Sequence, residues 1–368
     1  MNKPTMLTYI NEEQATFKKI LDNYPAQQDQ ALANYPESSK HWLILATGSS
    51  YNAALSAKYY VEHIAHVRIS LAQPFHYQHY EQVDPTIDYV VGVSQSGQST
   101  ATVDAMKYVG NHHPVQSLAV TSMPGTEITD AADTTLDIQT GREQVGYVSR
   151  GFSATVLSIM LFGLRIAANK NLIDVTAERN EIEEFRTILN ETDDVISATT
   201  RFAAAHKDDF TDAQQFNTVA YGPAIGSASE METKFTEIVR VPAAGYELEA
   251  YMHGPYLAFK PTSRLFFVRT TAQPEVLAKA AALRKYEQRY SKHVFTLDFT
   301  NVREADDDDR VLHLPAVTDD DKAPVIIGTV FQVLAWYVAI DHGINLSDLI
   351  FDDFSDAVHN KTQHQNYV

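Results

Sequence analysis

The chain of 368 residues contains no cysteine. That excludes disulfides, thiolate metal sites and a cysteine nucleophile. Basic residues are few: 29 Lys and Arg stand against 47 Asp and Glu, for a formal charge of −18. They are scattered singly, so no local patch offsets the acidic surface, and neither nucleic acid nor anionic membrane is expected as a partner. The most apolar segment, 324–340, contains Gly328, Thr329 and Gln332 and is slightly short for a membrane span. It reads as a buried helix of a core or dimer seam. The first residues, MNKPTMLTYINEE, lack the apolar centre of a signal peptide, and a cytoplasmic location is expected. Nucleotide fingerprints are missing too: GSSYNAA has no Walker lysine, and no G-x-G-x-x-G follows a strand.

What is present is an internal repeat. HWLILATGSSYNAALSAKYYVEHI, from His41, and FNTVAYGPAIGSASEMETKFTEIV, from Phe216, each read as strand, glycine-rich turn and helix. The next strand is expected at IDYVVGVS in the first copy and at SRLFFVRT in the second, with further strands at QSLAVT and HVFTLDF. Alternation at this spacing predicts mainly parallel sheets with helices on both faces. The expected fold is α/β, two tandem three-layer α/β/α sandwiches with five-stranded, flavodoxin-like sheets. The expected divisions are an N-terminal helical segment at 1–34, domains at 35–190 and 191–345, and a C-terminal tail at 346–368. A charged helical linker is expected near 170–212, and the acidic runs at 304–310 and 318–322 read as surface loops.

The stretch YVVGVSQSGQSTATVDAM ends an apolar strand in small polar residues. Ligands of open α/β sheets sit beyond the strands' carboxyl ends, where helix N-termini offer unpaired N–H groups. Ser94, Gln95, Ser96, Ser99 and Thr100, with Thr47, Ser49 and Ser50 after the first strand, add hydroxyl and amide groups there. Gly97 supplies backbone freedom. Together they predict a phosphate cradle that needs no Lys or Arg. A helix cap would need one such residue. The second copy has FFVRTTAQPE at the same place, so the cradle is not duplicated.

These segments, together with GYVSRGFSAT and EMETKFTEIVRVPAAGYELEAYMHGP, resemble the sugar isomerase (SIS) domain family. They are similar to the tandem pair forming the isomerase half of glucosamine-6-phosphate synthases, and to stand-alone fructosamine-6-phosphate deglycases and phosphosugar isomerases. The resemblance runs from about residue 35 to the end. It implies that Ser94, Gln95, Ser96 and Ser99 bind sugar phosphate, with Ser49 and Ser50 near the sugar. Ser99 replaces the family's usual Thr and keeps the hydroxyl. Ser149 lies in YVSRGF, which departs from the family's VASTKAF at the sugar end.

By spacing alone, Glu230, Lys234 and Glu237 share one helix face, and such a stripe is more often solvated than catalytic. The resemblance implies more. Glu237 becomes the base that moves a proton between C1 and C2, and His253 helps open the ring from the neighbouring subunit. Lys361 closes the site from the tail, while Glu230 and Lys234 match the other charged helix positions. Isomerisation through an enediol or enolamine needs a carboxylate at C1/C2 and a second acid–base group. It needs no metal and no organic cofactor. His76 and His79 are read as non-metal. The expected partners are a sugar phosphate and a second copy of the chain, as a homodimer sharing its site or a tetramer. Without the cysteine of a glutaminase, glutamine is not expected as a nitrogen donor. The expected activity is isomerisation or deglycation of an amino-sugar or fructosamine 6-phosphate. The alternative is a non-catalytic sugar-phosphate sensor.

Overall fold

The computed structural model describes residues 3–305, 307–348 and 350–367. Asp306 of the acidic run, and Leu349 and Val368 of the tail, lie outside the described residues, as do Met1 and Asn2 of the N-terminal segment.

The first sheet holds β1 (His41–Ala46), β2 (Arg68–Ala72), β3 (Tyr89–Val93), β4 (Ser117–Thr121) and β5 (Thr134–Asp137) in the order β2-β1-β3-β4-β5. Every neighbouring pair is parallel. The second holds β6 (Gln215–Ala220), β7 (Ala243–Glu247), β8 (Ser263–Arg269), β9 (Val294–Asp298) and β10 (Val311–His313) in the order β10-β9-β8-β6-β7, again all parallel. The two orders are the same topology, the 2-1-3-4-5 order of flavodoxin-like folds. One expectation is corrected. The strand after each repeat's first helix is not the one at 89 or 263. The edge strands β2 and β7 come first, and β3 and β8 then pair on the other side of β1 and β6.

Alternation along β1 explains the layers. Trp42, Ile44 and Ala46 face one core with Ala53, Ala54 and Phe162, whereas Leu43 and Leu45 face another with Tyr77 and Met106. The first of these cores runs on into the second sheet, through Phe216, Phe266 and Phe295. Among the described residues two helices are long and apolar enough to cross a membrane, Arg150–Asn169 and Pro324–Asp341, and both are mostly buried inside this shared layer. Burial on all sides is what a uniformly apolar helix requires.

The two repeats meet through their first helices, Ser49–Ala65 and Ile225–Lys234. The crossing is tight at Gly226, where an added Cβ would lie 2.5 Å from the Ser56 nitrogen and 2.7 Å from the Asn52 oxygen. Glycine lets the backbones approach, and the approach carries Ser49 and Asn52 to the charged helix.

Candidate active site

Glu230 and Lys234 have fully buried side chains, and that of Glu237 is 40% exposed. The stripe is therefore an internal ion cluster. Lys234 Nζ donates to Glu237 Oε2 at 2.7 Å and stands 3.5 Å from Glu230 Oε1. Ser49 Oγ and Asn52 Nδ2, from the other repeat, each donate to Glu230 at 2.9 Å. Burial pushes the Glu230 carboxyl up to about 7, against the pull of Lys234. Burial also works against the Lys234 ammonium, but the charges of Glu237 and Glu230 outweigh it and hold its pKa above the ordinary lysine value. The helix does not run on regularly to Glu237. It ends at Lys234 and opens into a π-helical turn, Phe235–Val239, a distortion found often at functional sites.

The serine-rich loop follows β3. Ser94, Gln95 and Ser99 are buried, and Ser96 is half-buried. Gly97 has φ +68°, and a Cβ there would lie 1.8 Å from Thr126 Oγ1, so both torsion and space demand glycine. Ser99 occupies the N-cap of the helix Thr100–His112 but makes no side-chain capping bond. Capping alone does not account for the serines.

The tail lies across this loop. Lys361 bridges Ser99 in an antiparallel contact, Thr362 N donates to Gln98 O at 2.9 Å, and Thr100 N donates to Asn360 O at 3.2 Å. Lys361 Nζ donates to Ser96 Oγ at 3.3 Å, and burial draws its pKa below the ordinary amine value. Thr47, Ser99 and Lys361 share the wall of one cavity of 520 Å³. Further along, Gln365 and Tyr367 join Glu237 and Tyr147 around a second cavity of 240 Å³. The tail thus touches the serine loop at one end and the Glu237 cavity at the other.

Other expected residues are less closely joined. Ser50 is half-buried in the first turn of its helix. Ser149 is buried and donates its hydroxyl to Glu143 Oε2 at 3.0 Å. His253 stands apart, its side chain 74% exposed and its Nε2 3.1 Å from Glu249 Oε1.

Glu143 was missed in sequence. Its carboxylate accepts from Ser149 N at 3.1 Å and Gly151 N at 2.6 Å, neutralising the start of the helix Arg150–Asn169. Gln95 of the serine loop reaches the same helix, donating from Nε2 to Thr155 Oγ1 at 3.2 Å. Burial raises the pKa of Glu143. The only signal was an acid six residues before Ser149. The second sheet differs from the first at the turn after β6, the counterpart of the turn after β1. Gly222 repeats the positive φ of Gly48, +52° against +56°. There, however, a carboxylate stands close: Asp320 Oδ2 is 3.3 Å from where a Gly222 Cβ would stand, and burial pushes its pKa up to about 6.

Residues 37–168 match the family model for the SIS domain. The chain carries a SIS domain. It is homologous to the isomerase half of the glutamine–fructose-6-phosphate aminotransferases. The protein of that name from Francisella tularensis is 26% identical over 315 residues, 84% of this chain and 50% of its own length. The chain spans about half the length of the curated relatives it matches. Among solved structures, a Clostridium difficile 630 chain named as a candidate phosphosugar isomerase has a TM-score of 0.86 at 21% identity, over 96% of this chain and 98% of that one. The C-terminal domain of the Francisella tularensis glucosamine-fructose-6-phosphate aminotransferase has a TM-score of 0.85 at 24% identity, over 94% and 98%. The SIS match ends at residue 168. The second sheet shares the topology of the first and is covered by these structural similarities.

Proposed function

We propose that this SIS protein is a phosphosugar isomerase or deglycase acting on an amino-sugar or fructosamine 6-phosphate. The observation that carries the reading is the tail's double contact, with Ser96 and Ser99 through Lys361 and with the Glu237 cavity through Gln365 and Tyr367. A phosphate held by the serine loop would leave the sugar's other end toward Glu237.

Glu237 takes a proton from one of C1 and C2 and returns it to the other, through an enediol or enolamine. Lys234 orients its carboxylate by the 2.7 Å bond, while buried Glu230 anchors Lys234 from behind. The loop hydroxyls, the N–H groups of the helix Thr100–His112 and the Lys361 ammonium hold the phosphate. His253, exposed on its own subunit, assists ring opening in the site of a second copy in a homodimer. The names of the relatives support the substrate class, since both aminotransferase names contain fructose 6-phosphate.

The test is a coupled assay for glucose 6-phosphate release from a panel of fructosamine 6-phosphates, with glucosamine 6-phosphate and fructose 6-phosphate included. Turnover of one of these, lost in Glu237→Gln, is the expected result. Sugar-phosphate binding with no turnover of any would leave the chain a sensor and overturn the reading.

A further inference from the structure

The second sheet has a cavity of its own, apart from the serine loop and Glu237. It lies beside the carboxyl ends of β8 and β9, under the helix Pro274–Glu287 and the irregular segment that follows β9, and has a volume of 240 Å³. This is the end of an open α/β sheet at which ligands bind. Its walls are mainly apolar, with Phe267, Val268, Leu277, Ala280 and Ala281 among them. An engineered apolar cavity of about 150 Å³ already holds benzene.

Two arginines give this cavity a polar end. Arg269 and Arg284 both line it, with side chains 14% and 5% exposed. Among the described residues, the carboxylate of Glu304 bridges them. Its Oε1 is 3.1 Å from Arg269 Nη1, and its Oε2 accepts from Arg284 Nη2. Arg269 is also fixed from behind by buried Asp298 at 2.8 Å, with Asp307 3.6 Å away. Asp298 further pairs with His313 and lies inside the fold. Glu304 is different: it belongs to the irregular segment between β9 and β10 and is one-third exposed. Guanidinium pairs match carboxylate geometry closely, and here they meet an apolar chamber of ring size.

We propose that this cavity is a second ligand site, for a small aromatic or branched aliphatic carboxylate. The apolar part enters the chamber, and the carboxylate takes the place of Glu304 between Arg269 and Arg284. Glu304 is the internal stand-in that closes the site without ligand. Arg269 keeps its other ties when Glu304 leaves, donating to Val302 O at 2.9 Å, so the guanidinium stays in place for the ligand.

The test is calorimetric titration of the full chain with benzoate and with benzamide, which share a shape and differ in charge. Benzoate is expected to bind saturably and at least about tenfold tighter than benzamide, as a charge-assisted pair requires. Glu304→Gln is expected to tighten benzoate several-fold by removing its competitor. Ala281→Trp, with folding checked by melting, is expected to abolish binding, and fructose 6-phosphate binding is expected to stay unchanged in both variants. Equal affinity for benzoate and benzamide, or no saturable benzoate binding to wild type or Glu304→Gln, overturns the proposal. So does benzoate that competes with fructose 6-phosphate, or that still binds folded Ala281→Trp. If Ala281→Trp does not fold, the benzoate–benzamide comparison on the wild type decides.

Discussion

Lys361 Nζ lies 3.3 Å from Ser96 Oγ, although 265 residues separate the two in sequence. The contact joins the C-terminal tail to the loop after β3 and places an ammonium among hydroxyls. Lys361→Met keeps the length of the side chain and removes the charge. The variant should fold normally and show a KM for sugar phosphate raised about tenfold or more, the scale of one charge-assisted hydrogen bond. Steady-state kinetics checks this; an unchanged KM would take Lys361 out of phosphate binding.

Gly226 has the opposite role, acting by the absence of a side chain. Gly226→Ala drives a Cβ against the backbone of the helix Ser49–Ala65. The expected loss is about 1–3 kcal/mol of stability from overpacking. Because Ser49 and Asn52 hold Glu230, activity should fall further than the melting temperature alone explains. Urea unfolding beside kcat/KM measures both effects.

Glu13 makes stability depend on pH. It is fully buried between Ser153, which donates to it at 2.9 Å, and Thr329, at 2.6 Å. Burial raises its pKa from the ordinary 4.5 to about 7, with the nearby Glu143 charge acting in the same direction. Between these values the native state holds a proton that the unfolded state has released. Stability should therefore be full below pH 4.5 and decline as pH rises to 7, by about 3 kcal/mol for this group. Glu13→Gln should flatten that slope and be the more stable protein at pH 8. Melting curves at pH 5, 6.5 and 8 test the sign; a variant less stable than wild type at pH 8 would contradict it.

His253 is exposed and touches Glu249 rather than Glu237. In the shared-site reading, His253→Ala and Glu237→Gln are each inactive alone. Mixed and reassociated, they should regain about a quarter of wild-type activity, because half of random dimers are mixed and each carries one intact site. No recovery, with mixed dimers demonstrated, would mean that His253 does not serve a partner.

Much of this was legible in sequence where the signal was local. Strong β-branched and apolar runs gave β1, β3, β4, β6, β8 and β9. The strands missed were the four sheet-edge strands, short or weakly apolar: RISLA at β2, TTLD at β5, AAGYE at β7 and the three residues of β10. Their strand character comes from pairing, which propensity does not carry. Ser94, Ser96 and Ser99 could be read because hydroxyls cluster in one loop. Glu143 could not, since two of its three bonds come from backbone amides that any residue supplies. The burial of Glu230 and Lys234 was hidden for a related reason. Spacing gives a shared face, but only the crossing at Gly226 says what covers that face.

The most direct test of the account follows the proton itself. Fructose 6-phosphate is incubated with the protein in deuterium oxide, and the hydrogens at C1 are followed by proton NMR. Glu237 as the base predicts that wild type exchanges a C1 hydrogen for deuterium, and that Glu237→Gln slows this by about 10²–10⁴-fold while still binding the sugar phosphate. Exchange at the wild-type rate in Glu237→Gln, or bound sugar phosphate with no exchange in the wild type, would contradict it.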